Sequence, residues 1–141
     1  MEPVEALRDL GGTATRGQIT RHSNRWALEQ AVHQGKVERL GRGKYALPEL
    51  LPALKVAATL RGMVSHASAA EYWSMESVSL PTTVHVTVPR RAHRQPEKSV
   101  TLHYGEVDGD RVTSPLRTVL DCARTMPFRE ALAIADSAFA P

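Results

Sequence analysis

Cysteine is almost missing from this sequence, with Cys122 the single one in 141 residues. One thiol excludes an internal disulfide framework and any zinc site built from cysteine pairs. Long apolar runs are missing too: the longest stretch without Asp, Glu, Lys or Arg runs from Ser77 to Pro89 and includes two prolines and a histidine. That falls short of the ~20 apolar residues a membrane-spanning helix needs. The N-terminal Met-Glu-Pro-Val-Glu lacks the basic-then-apolar order of a secretory signal. A reducing cytoplasm is the expected location.

Catalytic signatures are equally scarce. There is no Gly-x-Ser-x-Gly elbow, no Walker loop and no dinucleotide fingerprint. The six histidines include no i, i+4 pair beside a carboxylate. No metal site and no cofactor are expected. Asp108 and Asp110 flank Gly109 as turn formers, whereas Asp121 and Asp136 belong to separate helices, so no carboxylates converge by local spacing. Cys122 reads as a buried structural thiol. Neighbours in sequence such as Ser65 and His66 are poorly placed for an imidazole to face the hydroxyl beside it, so Ser65 reads as a helix N-cap. The chain is expected not to be an enzyme.

What is present is ordinary globular material: 42% hydrophobic and 23% charged residues, enough for one compact domain or two small ones. The formal charge of +3 comes from 18 basic and 15 acidic residues, unevenly placed. Residues 1–50 carry eight basic and six acidic groups, and residues 89–104 carry four and one. The rest is mildly acidic, with six and eight. Two basic regions, with a pI near 9.4, are compatible with a phosphate-backbone partner.

Along the chain, Val4, Leu7 and Leu10 recur at helical spacing behind Pro3, and Gly11-Gly12 ends that segment. Thr15 and Gln18 form a capping-box pattern that opens a second, short helix. After the turn residues Arg21, His22 and Ser23, Asn24 to Gln34 reads as a third helix with Leu28, Ala31 and Val32 on one face and Gly35 at its end. Lys36 to Leu40, the turn Gly41-Arg-Gly-Lys44 and Tyr45 to Leu47 read as a β-hairpin. Three short helices and then a hairpin is the order of a winged helix-turn-helix. Farther on, Leu50 to Leu60 reads as a helix, Ser65 as the cap of another, Val84 to Val88 and Val100 to Tyr104 as strands. Pro115 opens a helical segment with Leu116, Val119, Leu120 and Ala123, and Phe128 to Phe139 is an alanine-rich last helix. The expected fold class is α+β: a winged helix-turn-helix over residues 1–48 packed with a small mixed α/β domain over residues 49–141.

In a helix-turn-helix the first residues of the second helix of the motif meet base edges. That places Asn24, Arg25 and Glu29 in the major groove, with Arg25 suited to guanine, Asn24 to adenine and Glu29 to cytosine. Thr15, Arg16, Arg21, His22 and Ser23 would hold phosphates, and Arg42 and Lys44 would form the wing. Each of these, taken singly, also reads as a solvated surface group. Trp26 reads as packing on the flank of the Leu28 face; Arg39 fits phosphate or solvent equally well. The run Pro89 to Pro96 is the most basic segment, and its Arg90, Arg91 and Arg94 suit either a second stretch of phosphates or a partner's acidic face. A solubilising loop is the alternative.

Three groups of residues carry a resemblance. They are Gly-Gly-Thr-Ala-Thr-Arg-Gly-Gln-Ile (11–19) with Arg-Trp-Ala-Leu-Glu-Gln-Ala-Val (25–32) and Gly-Arg-Gly-Lys-Tyr-Ala-Leu-Pro (41–48); Val-Ser-His-Ala-Ser-Ala-Ala (64–70) with Val-His-Val-Thr-Val-Pro-Arg (84–90); and Thr-Ser-Pro-Leu-Arg-Thr-Val-Leu-Asp (113–121). Over nearly its whole length the sequence resembles actinobacterial proteins with an AbiEi-type antitoxin N-terminal domain. The resemblance implies a winged-helix DNA-binding domain and a role as autorepressor and antitoxin, in a type IV toxin–antitoxin or phage-defence system whose toxin is a nucleotidyltransferase. Many related chains continue into a very-short-patch-repair-like endonuclease domain; this sequence stops where that domain would begin, so nuclease activity is not expected. Double-stranded DNA is the expected partner and a nucleotidyltransferase toxin a second one. Two alternatives stand beside this reading: a phage or prophage interaction module without operator binding, and a truncated relative of the endonuclease. Within the third group, Arg117 and Asp121 are spaced to pair across one helical turn.

Overall fold

The computed structural model describes residues 1–95 and 97–140. The fold is mixed α+β, with seven helices and two three-stranded sheets among the described residues. The chain divides into two compact units, one from Met1 to Thr59 and one from Leu60 onward.

The first unit opens with α1, Pro3–Asp9, in which Pro3 occupies a first-turn position where a missing N–H costs nothing. Helix α1 closes with Gly12 N–H donating to Leu7 O and Gly11 N–H to Arg8 O, which satisfies two carbonyls left over at its end. Strand β1, Thr13–Thr15, has no counterpart in the sequence reading, and its last residue also caps α2, Arg16–Thr20. The capping box forms as expected: Thr15 Oγ1 accepts from Gln18 N at 3.1 Å, and Gln18 Oε1 accepts from Thr15 N at 2.9 Å. Helix α3 spans Arg25–His33 and ends at Gly35, whose φ of 75° is open to glycine at little cost. Lys36 N and Val37 N both donate to Ala31 O, so these residues finish α3 instead of starting a strand.

Strands β2, Glu38–Gly41, and β3, Lys44–Ala46, therefore form a shorter hairpin than the pattern predicts. The sheet order is β1-β3-β2, all antiparallel, with Ala14 opposite Tyr45 and Arg39 opposite Tyr45 on the other side. Leu7, Ile19, Leu28, Val37 and Tyr45 fill the core between the three helices and this sheet. Each such side chain contributes about 1.5–3 kcal/mol on burial. Helix α4, Pro52–Thr59, lies against β2 and β3, and Lys55 Nζ donates to Glu38 Oε2 at 2.6 Å and to Pro48 O at 2.7 Å. For that reason the first unit runs to Thr59, whereas the sequence reading divides the chain after residue 48.

The second unit contains β4, Met63–Val64; α5, His66–Tyr72; β5, Val84–Pro89; β6, Val100–Gly105; α6, Pro115–Thr125; and α7, Phe128–Phe139. The sheet order is β4-β5-β6, with β4 antiparallel to β5 and β5 parallel to β6 in register Val84 to Val100 through Pro89 to Gly105. Asp108 acts as a turn former, its carboxylate accepting from Asp110 N at 2.9 Å around Gly109. Cys122 is buried, and burial, followed by the Asp121 charge, pushes its thiol up to about 11.

Helix α6 buries Thr118, Val119 and Cys122, while Leu116 and Leu120 face solvent. Thr118 is fully bonded inside. Its Oγ1 pairs with Thr113 Oγ1 at 2.8 Å and donates to Ser114 O at 2.7 Å. Two expectations fail at Ser65, which holds the N-cap position of α5 yet makes no capping bond. Its Oγ lies 2.8 Å from Nδ1 of His66, the contact that sequence adjacency argues against. His66 itself takes a left-handed backbone, at φ 52°.

Candidate nucleic-acid interface

Helices α2 and α3 meet through the four residues Arg21 to Asn24, and the β2–β3 hairpin is tied to the start of α2. The tie is double: Arg16 N donates to Gly43 O at 3.0 Å, and the Arg16 guanidinium donates to the Tyr45 phenol oxygen from Nη2 at 3.2 Å and Nε at 3.4 Å. Sequence reading missed Tyr45 as the partner that holds Arg16, a long-range pairing with no local signal.

The expected contact residues sort into engaged and exposed groups. Thr15 is occupied by its capping box, and Arg16 by Tyr45. The Ser23 hydroxyl is buried without a hydrogen-bond partner among the described residues. Asn24 is the N-cap of α3, its Oδ1 accepting from Ala27 N at 2.8 Å. A two-pronged contact to adenine uses that same oxygen, which would then accept from the helix cap and from the base together. Arg21, His22, Arg25, Glu29 and Arg42 are exposed, and Lys44 is half-buried at the foot of the hairpin turn. Arg25 and Glu29 form an i, i+4 ion pair at 3.4 Å with both side chains mostly in water. Such a pair is worth about 0–1 kcal/mol and opens readily toward a stronger partner. Arg39 donates to Gly41 O and remains exposed.

Trp26 corrects the packing expectation. It is 69% exposed, while Leu28 faces the core. A step of two residues along a helix carries a side chain to nearly the opposite side of the axis, so the two cannot share a face. Asn24, Arg25 and Trp26 thus present a cap, a guanidinium and an uncovered indole at the start of one helix.

Residues 1–48 match the family described as "Transcriptional regulator, AbiEi antitoxin". This is the family that the sequence resembles. The matched segment runs from α1 through β3 and contains every candidate from Thr15 to Lys44. No curated protein matches the chain. The regulator family supports a DNA partner and an antitoxin role at a coarse level. No helix among the described residues is long and apolar enough to cross a membrane.

Arg90, Arg91 and Arg94 lie outside the AbiEi-matched segment, in the second unit. Arg90 and Arg91 are exposed, but Arg94 donates from Nε to Leu60 O at 2.8 Å and is half-buried. Pro96, the far end of this run, lies outside the described residues.

Proposed function

We propose that the first unit is a winged helix-turn-helix that binds double-stranded DNA, and that the chain is a transcriptional autorepressor of antitoxin type. The observation that carries this reading is the exposed start of α3, Arg25 and Trp26, presented after a four-residue turn from α2, whose own start is tied to a hairpin that carries Arg42 in its turn. With α3 laid in the major groove, the Arg25 fork exchanges Glu29 for the O6 and N7 of a guanine. Trp26 covers a thymine methyl or a sugar at the groove edge. Arg21 and His22 lie at the phosphates beside the turn, and Arg42 and Lys44 reach the backbone as the wing. Binding here is recognition without catalysis, and a nucleotidyltransferase toxin is the protein partner the family resemblance implies.

A reporter driven by the DNA upstream of the protein's own gene tests this in cells. Expression of the intact chain lowers reporter output, and Arg25→Ala restores it while the protein is still produced. Output that the intact chain leaves unchanged would contradict the autorepressor reading.

A further inference from the structure

Three histidines far apart in sequence meet in the second unit. His66 stacks on His103 of β6 with ring centroids 3.5 Å apart and planes 10° from parallel, and His85 Nδ1 bonds His103 Nε2 at 2.9 Å. His66 Nδ1 lies 2.8 Å from Ser65 Oγ, and that oxygen accepts from Thr87 Oγ1 at 2.7 Å, so its own O–H is free to donate to Nδ1 and leave the proton on Nε2. Burial above all, with the neighbouring charges of His85 and Arg117, draws His66 down to about 4. Burial does the same to His103, again to about 4. Both rings are therefore neutral near pH 7. They stack face to face instead of aiming their nitrogens at one point, and among the described residues no group of His, Cys, Asp and Glu is arranged to hold a metal.

His66 and His103 line an open cavity of about 590 Å³ together with Arg90, Arg117, Arg124 and Asp121. Arg117 is fixed in place: its Nη2 donates to Glu106 O at 2.7 Å and its Nε lies 3.6 Å from Asp121 Oδ2. Arg124 Nη1 lies 4.0 Å from the other oxygen of the same carboxylate. Around the wall three guanidiniums face two carboxylates, Asp121 and Glu106, so positive charge is in excess. Arg124 is 74% exposed in its side chain, and Arg90 is exposed as well. With Nδ1 of His66 and Nε2 of His103 already engaged, His66 Nε2 and His103 Nδ1 are the ring nitrogens that a ligand can address.

We propose that this cavity binds the phosphate group of a small phosphoester. Planar guanidiniums match phosphate oxygens two at a time, and neutral imidazole N–H groups add hydrogen bonds without demanding a further counter-charge. Arg117 is the preset member, braced by Asp121 and Glu106 O; Arg90 and Arg124 close on the anion from the open side. The volume exceeds what a bare phosphate fills and lies in the range of small-molecule sites, leaving room for an organic part of about nucleotide size. This site stands apart from the DNA reading, since all of its residues belong to the other unit.

Calorimetric titration of the full chain with inorganic phosphate, adenosine 5′-monophosphate and adenosine tests the site, with the His66 and His103 ring signals followed by NMR. Saturable binding of both phosphate-bearing probes is expected, with none of adenosine and with both ring signals shifted. Arg90→Gln and Arg124→Gln, both surface changes, each weaken it about tenfold, as loss of a charge-assisted bond should. Arg25→Ala leaves it unchanged. Tighter binding of the monophosphate than of phosphate supports a phosphoester with a nucleotide-like organic part, and equal binding of the two would overturn the phosphoester in favour of free phosphate. Absence of saturable binding at about 10 mM of either probe, or binding indifferent to Arg90 and Arg124 in variants that remain folded, would overturn it.

Discussion

Arg16 and Tyr45, 29 residues apart, are joined by two hydrogen bonds from one guanidinium to one phenol oxygen. That pairing locks the start of α2 to β3 and so fixes where the hairpin turn stands relative to the helices of the first unit. Tyr45→Phe removes the shared acceptor and leaves the ring in the core. Urea unfolding should show a loss of about 0.5–1.5 kcal/mol, the usual net worth of such a bond. A loss near zero would mean that the two Arg16 donors are equally well served by water.

Asn24 carries α3 by capping it, its Oδ1 accepting from Ala27 N. Asn24→Ala should cost about 1 kcal/mol of stability, and Asn24→Asp should preserve the cap, since a carboxylate oxygen accepts the same bond. Matched denaturation curves for the three proteins decide this. If Asn24→Ala were as stable as the parent, the bond to Ala27 N would contribute nothing.

Gly62 sits so close to β5 that an added Cβ would strike the Thr87 carbonyl and the Val86 and Val88 side chains. The obstacle is backbone, which gives little. Gly62→Ala should therefore destabilise the chain by about 1–3 kcal/mol, as overpacking does, with a fall in the thermal midpoint.

Acid should loosen the second unit through its buried imidazoles. His66 and His103 are drawn from 6.5 to about 4 by burial, so the unfolded chain binds more protons than the folded one between those values. Stability contributed by keeping these rings neutral is full above pH 6.5 and is lost as the pH falls through that window toward 4. Urea midpoints measured from pH 7.5 to 4 should decline, and His103→Gln should flatten the decline. A midpoint that holds level across the window would contradict the buried, neutral assignment.

The features legible in the sequence are those fixed by neighbours along the chain. The capping box at Thr15 and Gln18, the end of α3 at Gly35, the alternation in β5 and β6, the Arg117–Asp121 pair and the bounds of α7 all depend on spacings of a few residues. Strand β1 is not legible because three residues become a strand only by pairing with β3. The histidine cluster is hidden for a related reason, since α5, β5 and β6 each supply one ring. On α6, Val119 and Cys122 are buried, but Leu116 and Leu120 are not, and the buried place beside them is taken by Thr118, whose hydroxyl is bonded inside. At the candidate interface, residue types indicate DNA, but which polar atoms are already engaged, at Thr15, Arg16 and Asn24, or shut away, at Ser23, depends on atomic contacts.

Whether α3 reads bases while the hairpin holds phosphates is tested most directly by fluorescence anisotropy with two duplexes, one from upstream of the gene and one scrambled. The parent chain should bind the upstream duplex at least about a thousandfold more tightly than the scrambled one. Arg25→Ala should lose about 1–3 kcal/mol on the upstream duplex alone, whereas Arg42→Ala should weaken both alike and lower the salt slope by about one. Equal affinity of the parent for the two duplexes, or equal losses on both for Arg25→Ala, would contradict base reading by α3.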